Sequence, residues 1–200
     1  MKNKISLLVV FLIAVLMVGC GSVTPKEGDR VFNCDYHCVS FTTKIDVTED
    51  NTENNYRIQG EFFRKFVEDL IIEKDERIFL SKDQYNLISQ NDHTIYVDGQ
   101  KEVEMIGHFA FFGDSYTINS GEREVATAEF NFFNTYGELK DAEGEIIATY
   151  HSGLIRKDYV VCVKENCDFD EKVVNLIFAS YVSDYQSDHM STGGNRKNSK

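Results

Sequence analysis

The stretch EKVVNLIFASYVSDY, Glu171 to Tyr185, decides how the rest of the chain is read. Its apolar residues stand at 173, 174, 176, 177, 178, 179, 181 and 182. That pattern neither alternates, as a half-buried strand does, nor keeps to one stripe, as a surface helix does. A run of roughly 12 residues has the length of an ordinary helix. A helix that is apolar nearly all round has to be buried on all sides. Asp168, Asp170 and Glu171 lead into it and suit the positive end of a helix dipole. The DFDE segment they form lacks the spacing of a calcium loop, so these acids read as capping residues.

Upstream, the chain is a succession of short apolar or alternating runs. They are NYRIQG (55–60), EDLIIE (68–73), ERIFL (76–80), YNLIS (85–89), TIYV (94–97), EVEMIGHF (102–109), SYTIN (115–119), EVATAEF (124–130), TYGEL (135–139), EIIATYH (145–151) and DYVVCV (158–163). Turn residues separate them, and Asp98-Gly99 between two runs is a strong hairpin signal. Strands recurring every 8–12 residues or so indicate an all-β barrel or sandwich. The 15 Phe and 10 Tyr favour strands, and a single proline leaves the ladders uninterrupted. Tyrosines after short polar groups, at Tyr56, Tyr85, Tyr116, Tyr136 and Tyr159, suggest one hairpin unit used repeatedly. Their irregular intervals argue against a solenoid.

A closed sheet and one hydrophobic helix have a natural joint solution. A barrel of about a dozen strands is too wide for its own side chains to fill, and the helix can thread it as the core. The expected fold is therefore mainly β: a closed antiparallel β-barrel of about twelve strands around one central hydrophobic C-terminal helix. The domain is placed at residues 31–185, with the closing helix at about 171–185. The polar segment 186–200 is expected to be a disordered tail.

The order of these segments resembles the tubby C-terminal-like superfamily, in particular its LURP-one-related branch. The resemblance covers residues 38 to 185. It rests on NNYRIQGEFF, on the GDSYTI and TYGELKDAEGEIIATYHSG hairpins, on RKDYVVCV and on the helix VVNLIFASYV. It implies a twelve-stranded barrel around a central helix. It also implies two functional directions, since tubby domains bind phosphorylated phosphoinositides through basic residues and related scramblases act on phospholipids. No clustered Lys/Arg motif carries the first direction over. Arg64-Lys65 and Arg156-Lys157 are the adjacent basic pairs within the fold, and each reads as a solvated face. Asn175 and Ser180 in a short closing helix argue against a scramblase-like membrane span.

The N-terminus supplies the compartment. Lys2 and Lys4 precede the apolar run Ile5 to Val18, which has the length of a signal-peptide core. LMVGCGS follows and resembles a bacterial lipobox, with Met17 where leucine is usual. Residues 1–19 thus read as a lipoprotein signal peptide and Cys20 as the lipidated new N-terminus. Residues 20–30 read as a tether reaching up to about 35 Å. Several acyl chains would hold the protein at a membrane, each buried methylene contributing about 0.8 kcal/mol. The expected location is exported and membrane-anchored, on the extracytoplasmic face of a bacterial membrane. Without Lys2 and Lys4 there are 19 basic against 33 acidic residues. That balance argues against a nucleic-acid partner, whose binding rests on cationic side chains.

No nucleophile elbow, zinc-protease helix or phosphate-cradling loop is present, so no enzyme activity or cofactor is expected. The five histidines, 37, 93, 108, 151 and 189, are scattered and read as exposed or core residues. Cys34 and Cys38 lie ahead of the barrel runs, and Cys162 and Cys167 flank the last loop before the helix. Export favours disulfides among these four. A long-range pair would contribute about 4–5 kcal/mol against about 2 for a tight loop on the entropic model. Free thiols and a metal site built on Cys34, His37 and Cys38 are the alternatives. The functional expectation is a membrane-anchored lipoprotein with a non-enzymatic tubby-like binding or scaffold domain for a lipid or protein ligand. A phospholipid-binding or lipid-handling protein is the alternative.

Overall fold

In a computed structural model ten of the eleven runs fall on strands of a twelve-stranded antiparallel sheet; the structure describes residues 25–37, 42–64, 67–84, 91–108, 113–153 and 158–193. The strands are β1 Arg30–His37, β2 Lys44–Glu49, β3 Asn55–Arg64, β4 Val67–Lys74, β5 Arg77–Gln84, β6 Asp92–Val97, β7 Gln100–His108, β8 Asp114–Ser120, β9 Arg123–Phe130, β10 Tyr136–Asp141, β11 Ile146–Ser152 and β12 Tyr159–Val163. Each pairs with its neighbour in sequence, and β1 closes the ring against β12. A closed sheet has no exposed edge to protect. The β6–β7 hairpin turns at Asp98 (φ 51°) and Gly99 (φ 80°), the pair of positive angles that a two-residue primed turn needs.

Every second residue points inward. Phe32, Ile45, Ile58, Ile72, Phe79, Ile95, Met105 and Ile118 are fully buried on the inner face. The helix α1 (Glu171–Gly193) occupies the space they leave, and every residue from Val173 to Val182 is at most 4% exposed. Asp170 caps it, accepting the Lys172 backbone N–H at 2.9 Å. The polar residues that interrupt its apolar surface have partners. Asn175 donates to the Tyr56 hydroxyl at 2.8 Å, and Ser180 meets Ser81 at 2.7 Å. Deeper in, Phe130 stacks on Tyr181 with ring centroids 3.5 Å apart, and Phe178 lies against Tyr150. Gly137 makes that stack possible, because a Cβ there would lie 2.5 Å from the Phe130 ring.

Four expectations change. The segment holding Cys34, placed ahead of the barrel, is a wall strand. Its short alternation of Phe32, Cys34 and Tyr36 buries the first two and packs the third against the core. The tether gives up its last residues to the fold. Asp29 reaches back to Lys164 at 2.7 Å, and β1 begins at Arg30. The helix continues past Tyr185 to Gly193, eight residues into the segment expected to be disordered. That segment has no proline to stop it before the Gly193-Gly194 pair.

The fourth change concerns the cysteines: Cys34, Cys162 and Cys167 are free thiols. Register explains why Cys34 and Cys162 stay apart. Cys34 faces Tyr159 on the inner surface, whereas Cys162 faces Val31 on the outer surface. Two residues on opposite faces of one wall cannot join without rotating a strand. Cys162 is covered instead by Asp29, 3.8 Å from its sulfur. Cys20 and the signal segment, Cys38, the YNLIS run, the basic pair partners Lys65, Arg156 and Lys157, and residues 194–200 lie outside the described residues.

Candidate functional site

Polar chemistry collects where α1 leaves the barrel, at the rim where β5 ends and β6 begins. Two consecutive helix residues, Ser183 and Asp184, are still buried there and engage opposite sides of the wall. Ser183 donates to Glu68 at 3.2 Å. The same carboxylate accepts the Thr43 backbone N–H at 2.6 Å and the Thr43 hydroxyl. Gly60 leaves the path open, since a Cβ there would overlap the Glu68 carboxylate.

On the other side, Asp184 Oδ2 lies 2.9 Å from His93 Nε2. His93 is 2% exposed. Asp83 stands directly across the β5–β6 ladder from His93, so the register sets the two side chains on one face. Asn91 donates to both carboxylates, at 3.3 Å each. The ligand-capable atoms of Asp83, His93 and Asp184 all lie within 4.8 Å of one another. Asp83 Oδ1 is shut off from solvent without a hydrogen-bond partner.

Burial pushes the Asp83 carboxyl up, the charge of Asp184 adds to the rise, and the result is about 7. For His93, burial pulls the imidazole down, but Asp184, Asp83 and Asp92 together outweigh it and the net shift is upward. The cluster therefore holds protons or an equivalent positive charge. The ring of Tyr116 lies 6.4 Å from that of His93, and burial pushes its phenol well above the usual range, so it stays neutral.

Among the described residues, Cys34, His37, Cys162 and Cys167 do not assemble into a site. Cys34 points into the core with its sulfur 3.8 Å from Asn175 Oδ1. His37 points outward, half-exposed, to Asp46 at 2.7 Å. Cys34 and His37 are thus on opposite faces of β1, which rules out one ion held by both. Burial pushes the thiols of Cys34, Cys162 and Cys167 upward, so all three favour the protonated form. Sequence reading passed over Asp83 and Asp184 and took His93 only as one of five scattered histidines. A signal was present: Asp83 falls in the inward parity of Phe79 and Ser81, and His93 in that of Ile95. Polar residues in that parity mark a built contact.

These features define a class: a closed, helix-filled antiparallel barrel with a buried carboxylate–histidine cluster at one rim. No protein-family model matches the chain. Comparison with curated proteins and with solved structures likewise returns no match.

Proposed function

We propose that this chain is an exported bacterial lipoprotein, anchored through acyl groups on Cys20, whose tubby-like barrel is a non-enzymatic binding or scaffold module. The observation that carries the reading is the sequence order itself: a cationic start, a short apolar core, GCGS, and a barrel beginning ten positions later at Arg30. The kinship with LURP-one-related tubby domains is supported by the ring of sequential hairpins and by a last element that fills the interior. Metabolic labelling with an alkyne fatty acid in a bacterial host tests the anchor. The wild-type chain takes up label and sediments with membranes, and Cys20→Ser loses both. A wild-type chain that takes up no label overturns the reading.

One observation favours the lipid-handling alternative. Phe132 and Phe133, between β9 and β10, are 65% and 48% exposed on the rim from which α1 emerges. Exposed aromatics of this kind suit the interface of a bilayer. The barrel interior is already full of helix, so lipid contact would be at this tip and not in the lumen. Co-sedimentation of the unlipidated chain with phosphatidylcholine vesicles should fall when both residues become alanine. Retention no better than that of an unrelated acidic protein removes the alternative.

A further inference from the structure

We propose that Asp83, His93 and Asp184 form a binding site for one divalent transition-metal ion of the zinc class. Three elements converge on it: β5 brings Asp83, β6 brings His93 and the exit turn of α1 brings Asp184.

Four observations carry the proposal. The donor set, one imidazole nitrogen and two carboxylates, is the kind that borderline divalent ions take, whereas calcium and magnesium favour all-oxygen shells. The spacing fits. Donors bound at 2.0–2.2 Å in a tetrahedron stand about 3.4 Å apart. The three atoms here lie within 4.8 Å, and the His93–Asp184 pair, at 2.9 Å, needs to open by only a fraction of an ångström. Charge is the third. Among the described residues, Asp69 on β4 lies beside Asp83 and Asp92 on β6 beside His93, so the neighbouring charges are acidic, and a divalent ion balances the two ligand carboxylates while neutral His93 supplies nitrogen. The fourth is the orphaned Asp83 Oδ1, a buried acceptor that no described residue satisfies. A buried oxygen left without a partner is the exception in folded proteins and calls for an occupant.

Asn91 fits the same assignment. Its amide already bridges both carboxylates and would orient them as ligands, a role outer hydrogen bonds commonly play at metal centres. The bound ion would tie α1, where it leaves the barrel, to strands β5 and β6, a cross-link between segments 91 residues apart in sequence.

The test is a Zn2+ titration of the purified full chain against a chromogenic chelator, with a thermal unfolding scan on the same samples. The expected result is one Zn2+ per chain and a higher unfolding midpoint with Zn2+ than with EDTA. Asp83→Asn keeps size and shape and should still fold. It should bind about tenfold more weakly or worse and lose the Zn2+-dependent rise. His93→Gln should do the same. Unchanged Zn2+ affinity in Asp83→Asn overturns the site. So does wild-type binding that survives both changes and disappears in a Cys162→Ser, Cys167→Ser double variant, because the thiols would then be the ligands.

Discussion

Asp83 departs from what carboxylates usually do for stability. In the metal-free folded chain it holds its proton up to about pH 7, whereas an unfolded aspartate releases it near 4. Between those values the folded state carries more protons than the unfolded one, so stability falls as pH rises across the window. The raised His93 imidazole acts with the same sign above its ordinary value and loses its contribution as pH rises through the folded one. Glu171 behaves oppositely. Burial works against its charge, but Lys172 and Arg30 hold the carboxyl down to about 2, so its contribution is lost only as pH falls toward that value. His151, pulled down by burial, works against stability as pH falls below its ordinary value, and comparison of variants cancels it. Urea unfolding in EDTA from pH 4.5 to 7.5 should show wild-type stability declining, with a flatter profile for Asp83→Asn. Parallel profiles would refute the assignment. Gly137 gives a second prediction at this scale. Gly137→Ala drives a methyl into the Phe130 ring that stacks on Tyr181 and should cost about 1–3 kcal/mol in denaturant unfolding. A change within a few tenths would mean the stack yields freely.

At the scale of elements, α1 and the wall depend on each other. The helix buries all sides between Val173 and Val182, and it forms one core with the apolar side chains of the strands' inner faces. Ending the chain before Val173 should leave no cooperative unfolding transition, as read by far-UV circular dichroism on heating. A soluble, sharply melting truncation would refute the central role of the helix. Phe178→Ala is the graded version. It removes a fully buried ring that packs on Phe130 and Tyr150 and should cost about 3–5 kcal/mol. The helix was legible because its apolar pattern fits neither a strand nor a surface helix. β1 was not, because its alternation spans only Phe32, Cys34 and Tyr36, and a pair of cysteines with a histidine between them drew a chemical reading instead.

At the scale of the molecule, closure of the ring settles the thiols. Cys34 lies in the core, Cys162 lies under the Asp29 turn, and Cys167 is half-buried beside Phe169. Of the three described thiols, alkylation of the folded protein should label Cys167 first and leave Cys34 untouched until denaturant is added, as peptide mass spectrometry would show. A disulfide at Cys34, or its rapid labelling without denaturant, would contradict the inward orientation. The exposed Phe132–Phe133 tip and the acidic rim cluster occupy the same end of the barrel, the end from which α1 emerges.

The sequence by itself determined the class of fold: period-two runs specify a sheet, a run apolar on all sides specifies a buried helix, and a dozen strands leave a lumen only that helix can fill. It also determined the hairpin turn at Asp98-Gly99, since local backbone preference acts over a few residues. The tertiary structure alone decided which strand closes the ring, which face each cysteine takes, and that Asp83, His93 and Asp184 meet. These are matters of register and of contacts across 91 residues or more of chain. No local pattern encodes a meeting of that kind; it exists only once the barrel has closed around the helix.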